Sequence, residues 1–181
     1  MSITYEYMVD WDAVDWRATP DFSEAIDDIS DYVKPMNIDR GKDNELGNAP
    51  AGTLNITLKN DDKRFSACYA ASPLFGKIRP WLPVRVRATV VGVATHVVYT
   101  GFISKISVNP HINVQEAYLY CTDGMDLLAR QVVTQDGNTR TTTSDGGAFN
   151  KVLDASGWPS TKRAVDTDGG QIINYPATVE F

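Results

Sequence analysis

Residues 84–90 place Val84, Val86, Ala88 and Val90 at every second position, with Arg85, Arg87 and Thr89 between them. Side chains two apart fall on one side of an extended chain, so this run has one apolar and one polar face. Val97, Tyr99, Gly101 and Ile103 repeat the pattern beyond a short connection at Gly92–Ala94. β-Branched and aromatic residues dominate both runs and favour extended backbone. Together they predict a hairpin in an antiparallel sheet or barrel, around which the rest of the chain must be arranged.

The flanking sequence supplies further strands. Ile3, Tyr5, Tyr7 and Val9 alternate with Thr4, Glu6 and Met8. A second strand is expected at Tyr32–Arg40, a third at Thr53–Lys59, and another where Val114, Glu116, Tyr118 and Tyr120 alternate with their neighbours. Pro20–Asp31 is short and acid-rich, with room for one or two helical turns, and Gly41–Gly52 is a polar connection. Asn60–Arg64 reads as an Asx turn that delivers Phe65 to the core.

The period changes after Thr122. Asp123 is placed to cap a helix over Gly124–Val132 carrying Met125, Leu127 and Leu128. Ser144 or Asp145 caps a second, Gly147–Ser156, with Phe149, Val152, Leu153 and Ala155 on its apolar side, and Gly157 and Pro159 end it. Residues 135–145 are polar, and the tail contains a turn at Asp166–Gly170 and two short β-like pieces. The fold class is therefore mainly β: an antiparallel barrel-like domain over residues 1–109, followed by a small α+β region over 110–181. That second region is incomplete on its own, because two short helices and a few strand residues bury little.

With 181 residues the chain is long enough for a sizeable core, and its formal charge of −6 argues against a nucleic-acid surface. The N-terminus has neither a basic segment nor an apolar signal core, and no apolar run reaches transmembrane length, which predicts synthesis and assembly in a cytoplasm. Of the two cysteines, Cys68 and Cys121, the second ends a strand-like run and reads as a small buried hydrophobe.

A search for catalytic groups finds no constellation. His96 lies within a strand and His111 in a loop, and neither has metal-ligand spacing around it. No nucleophile elbow or phosphate loop occurs. Asp27, Asp28 and Asp31 are the densest carboxylates and read as a solvated segment. Asp136–Asn138 and Asp166–Gly169 match only fragments of a calcium loop and read as turns. No cofactor is expected. The residues singled out are instead candidates for subunit contacts. Trp11 and Trp16, in an acidic segment without clear periodicity, read either as anchors within the chain or as contacts with another subunit; Trp81 is a further aromatic anchor, and Arg85 and Arg87 are cations on the polar face of a strand.

The order of several segments carries a resemblance. DDISDYV (Asp27–Val33), RGKDNELG (Arg40–Gly47), AGTLNITLKNDDKRF (Ala51–Phe65), SPLFGKIRPWLPVRVRA (Ser72–Ala88) and YTGFISKI (Tyr99–Ile106) together resemble the N-terminal region of baseplate hub or tail-tip proteins of tailed bacteriophages. YCTDGMDLLAR (Tyr120–Arg130) and GGAFNKVLDASGWP (Gly146–Pro159) resemble the part that follows. The resemblance implies a barrel-like module in a ring at the distal end of the tail tube, commonly trimeric. Its neighbours would be the tail-tube or distal tail protein, the tape-measure protein and the tip or fibre protein. It implies a virion protein that works by assembly and has no catalytic residues in this region. This chain departs from such hubs in being much shorter. Two other functions fit the composition: a carbohydrate-binding β module with exposed tryptophans, and a cell-wall glycan hydrolase with two converging carboxylates.

Overall fold

A computed structural model describes residues 2–39, 50–109, 111, 113–130, 142–165 and 172–174. The polar connection at 40–49, the polar stretch at 131–141 and both calcium-loop fragments lie outside the described residues. The chain divides into two units, residues 1–126 and 127–181.

The first unit is a curled half-barrel of six antiparallel strands: β1 (Ile3–Val9), β2 (Val33–Asp39), β3 (Thr53–Lys59), β4 (Pro83–Val90), β5 (Ala94–Val108) and β6 (Glu116–Thr122). Their order across the sheet is β1-β4-β5-β6-β3-β2. The predicted alternation is realised where it can be read directly: Leu54, Ile56 and Leu58 of β3 and Val84 and Val86 of β4 are buried, as are Leu119 and Cys121 of β6. β6 lies between β5 and β3 and pairs with both. The first unit therefore runs on to Asp126, past the boundary near Asn109 that the Asn109–His111 break suggested.

The hairpin β4–β5 turns through Val90–Val93, where the Val93 N–H donates to the Val90 carbonyl over 3.0 Å. Gly92, at the third position, has φ of +79°. That is the type II geometry, and glycine meets it without a Cβ clash. Strand β5 departs from strict alternation twice. Val86 pairs with Tyr99 but Arg87 with Val97, which leaves Val98 as an extra residue. Ile103 pairs with Cys121 but Lys105 with Tyr120, which leaves Ser104 as a second. Each bulge inverts the faces that follow it. Val97, expected on the side of Tyr99, is consequently exposed, whereas Tyr99, Gly101 and Ile103 are buried.

The loops are held by backbone-directed side chains. Asn60 is buried, and its Oδ1 accepts the Phe65 N–H at 2.9 Å. This places the Phe65 ring against Tyr32, with centroids 5.4 Å apart, and Trp11, at 6.2 Å. Residues 20–29 form no α-helix. They run through a turn at residues 25–27 to an isolated antiparallel bridge between Asp28 and Met8, and a single 3-10 turn follows at Ser30–Tyr32.

Asp123 caps the helix α1 (Gly124–Ala129): its Oδ1 accepts the Met125 N–H at 2.9 Å, and its Oδ2 accepts the Gly52 N–H at 2.7 Å. In the second unit, β7 (Thr142–Ser144) and β8 (Ile172–Asn174) form a two-stranded ladder beside α2 (Asp145–Ala155). Bonds from Trp158 N–H to the Leu153 carbonyl and from Gly157 N–H to the Asp154 carbonyl end α2 as a Schellman motif, with Gly157 at φ +72°. Of the apolar side expected for α2, Leu153 is buried, while Phe149 and Val152 are exposed.

Candidate assembly surface

The five residues expected at subunit contacts do not form one patch. Trp11 is 1% exposed and belongs to the main core, stacked obliquely with Phe65. Trp16 is 9% exposed and meets Phe102 edge to face, with centroids 6.4 Å apart. Both rings are anchors within the chain, the first of the two readings the sequence left open, and neither offers a contact to a neighbour or a stacking platform for a sugar.

Two buried carboxylates hold this tryptophan loop. Asp10 accepts N–H groups from Asp12 at 3.2 Å and Asp21 at 2.9 Å. Asp27 accepts those of Trp11 at 3.5 Å and Glu24 at 3.2 Å. The expectation of a solvated Asp27 is thus corrected, while Asp28 and Asp31 are exposed. Loss of hydration pushes the Asp27 carboxyl above its ordinary range. The two N–H donors oppose this, and the charges of Asp10 and Glu24 add to it. Carboxylates committed to loop backbone in this way serve as staples.

The remaining candidates are partly exposed. Trp81 has φ of +68°, a left-handed conformation costly for a residue with a Cβ. Its N–H donates to the Ile103 carbonyl at 2.6 Å, fixing the approach to β4. Arg85 lies over the Phe22 ring, 4.1 Å from the centroid, with its Nε enclosed and lacking a hydrogen-bond partner. Burial, and next the Arg87 charge, lower its pKa. Arg87 faces Glu6 across the β1–β4 ladder at 3.4 Å, a solvent-facing pair worth about 0–1 kcal/mol.

His96 is exposed on β5, and the His111 Nδ1 accepts the Asn113 N–H at 3.2 Å in a turn. Burial pushes the Cys121 thiol up to about 12, so it stays protonated and unreactive, whereas Cys68 is exposed. Among the described residues no group of three His, Cys, Asp or Glu side chains is arranged to hold a metal ion, and no helix is long and apolar enough to cross a membrane.

The feature that the sequence did not reveal is an open sheet edge. β1 and β2 are the outermost strands of the sheet, and among the described residues only part of β1 is covered. Val9 N–H donates to the Asp27 carbonyl, Ile29 N–H to the Tyr7 carbonyl and Tyr7 N–H to Ser30 Oγ, each at 2.9 Å. These bonds show that the odd-numbered residues of β1 direct their backbone groups away from β4. Antiparallel pairing then turns the N–H and C=O of Ile3 and Tyr5 outward too, beyond the covering segment. Ile3 is 55% exposed and Tyr5 42%. The β4–β5 turn continues this apolar rim: Val91 and Val93 are 65% and 66% exposed, and Val91 N–H reaches the Ser2 carbonyl at 3.3 Å. The opposite edge, β2, carries Lys34 and Pro35, a charge and a residue without an N–H, both of which discourage strand addition. Alternation identified β1 as a strand but could not show which neighbour it lacks.

No family model and no curated protein sequence matches this chain.

Proposed function

We propose that this chain is a structural component of a phage tail tip or baseplate, joining the tail tube or distal tail ring to the tip. It acts by assembly, and its place is the virion tail, built in the bacterial host. The observation that carries this reading is the open β1 edge with its rim of Ile3, Tyr5, Val91 and Val93. A half-barrel with one edge guarded and one left available is suited to joining other chains. The ordered motifs from Asp27 to Pro159 supply the identity of those chains, through their resemblance to hub proteins. Tape-measure and fibre proteins are further neighbours on this reading.

The test is light scattering on the whole chain across a concentration series, alone and with a tail-tube or distal tail protein from the same source added. Formation of a larger complex of fixed stoichiometry is expected. A chain that ignores both proteins at every concentration overturns the reading.

A further inference from the structure

We infer that the free edge of β1 pairs with the same edge of a second copy, about a two-fold axis through Thr4. The inference deepens the assembly reading and rests on it for the existence of a partner, while the edge itself specifies which partner. Among the described residues, Ile3 and Tyr5 alone in β1 have outward backbone groups beyond the stretch covered by Asp27–Ser30, so the accessible ladder is short. An antiparallel copy centred on Thr4 sets Ile3 opposite Tyr5 and Tyr5 opposite Ile3. Both are then hydrogen-bonded pairs that exchange N–H and C=O in both directions. Thr4 faces Thr4 on the solvent side, and Glu6 faces Ser2.

Charge favours this occupant. The chain carries a formal charge of −6, so two copies repel over most approaches. Along Ser2–Glu6 the sole charged side chain is Glu6, and Arg87 already neutralises it at 3.4 Å. The self-paired register places no like charges opposite one another and sets the apolar Ile3 and Tyr5 side chains across from each other. The β2 edge of another copy would bring Lys34 and Pro35 to the junction, and Pro35 has no N–H to donate. An isologous contact uses one patch twice and closes as a pair, distinct from the three-fold ring that the resemblance implies.

Thr4 is exposed, so its substitution leaves the core untouched. In the proposed register it is a non-hydrogen-bonded pair with itself, with Cα atoms roughly 4.5 Å apart, within disulfide reach. In a whole-chain Cys68→Ser background, Thr4→Cys is expected to form a covalent dimer on mild oxidation. Glu6→Cys should not, because residue 6 and its counterpart lie four positions apart along the strands, roughly 13 Å. Thr4→Lys sets two like charges face to face and is expected to weaken association at least about tenfold, with an unchanged melting curve. Light scattering on the unmodified chain should give twice the monomer mass at high concentration. A monomer throughout, a three-fold mass insensitive to Thr4→Lys, or equal cross-linking from positions 4 and 6 overturns the pairing. If the monomer still joins the tail-tube protein, the pairing alone falls. If it ignores that protein as well, the assembly reading falls too.

Discussion

Asp27 shows what a single residue contributes that composition does not reveal. A run of aspartates reads as solvated, because local pattern does not show that the Asp27 carboxylate will meet the Trp11 N–H, sixteen residues away. Cys121 was legible by contrast, since a small apolar side chain at the end of an alternating run needs nothing but burial. The folded chain holds the Asp27 proton more tightly than the unfolded chain does, because burial penalises the carboxylate. The stabilisation from this protonation is fully present below the ordinary value of 3.8, and it is lost as pH rises through the raised folded value. Asp27→Asn should remove that dependence. In urea unfolding across a pH series, wild-type stability minus that of the variant should fall from about pH 3.8 upward and level off above the folded pKa. A difference constant across this window would show that burial does not perturb the carboxyl.

At the scale of elements, the strands could be read because a buried face imposes a period of two. Thr53–Lys59 and Ile3–Val9 are both found with the limits expected. The bulges at Val98 and Ser104 could not be read, since an extra residue leaves hydrophobicity unchanged while inverting the faces. Nor could the helical pattern of α2 show that Phe149 and Val152 stay exposed. The first bulge has a consequence at Gly101. It brings Tyr99 and Gly101 onto the core face, where a Cβ on Gly101 would lie 2.5 Å from the Thr122 carbonyl and 2.5 Å from the Tyr99 hydroxyl. The carbonyl belongs to the adjoining β6 backbone and cannot swing away as a side-chain tip can. In an open strand position Gly→Ala should stabilise, by roughly 0.5–1 kcal/mol. At position 101 overpacking reverses the sign, and Gly101→Ala is expected to cost about 1–3 kcal/mol in urea unfolding. Unchanged or increased stability would mean that β5 and β6 are not so closely apposed.

For the whole molecule, strand order is a product of long-range pairing, and local pattern is silent on it. The sequence put a break at Asn109–His111, yet the next strand returns into the sheet between β5 and β3. The same non-local closure determines that β1 is an edge, a property that no local pattern of side chains encodes. Among the described residues, every member of the main core lies between Tyr7 and Cys121. None comes from the second unit, so the half-barrel has its own source of stability, because burial of apolar surface is the dominant favourable term in folding. A chain ending at Arg130, which retains α1 entire, should therefore keep the β-sheet signature in circular dichroism and melt cooperatively. Its Tm is expected within roughly 5 °C of the corresponding transition in the full chain, equivalent to about 1 kcal/mol for a domain of this size. The same truncation separates two sources of assembly. If it still forms the β1-edge pair, the half-barrel alone carries that contact. If it folds with an unchanged Tm yet stays monomeric where the full chain associates, residues beyond Arg130 contribute to self-association. Loss of cooperative melting would show that the half-barrel depends on the second unit, although the described core residues all belong to the first.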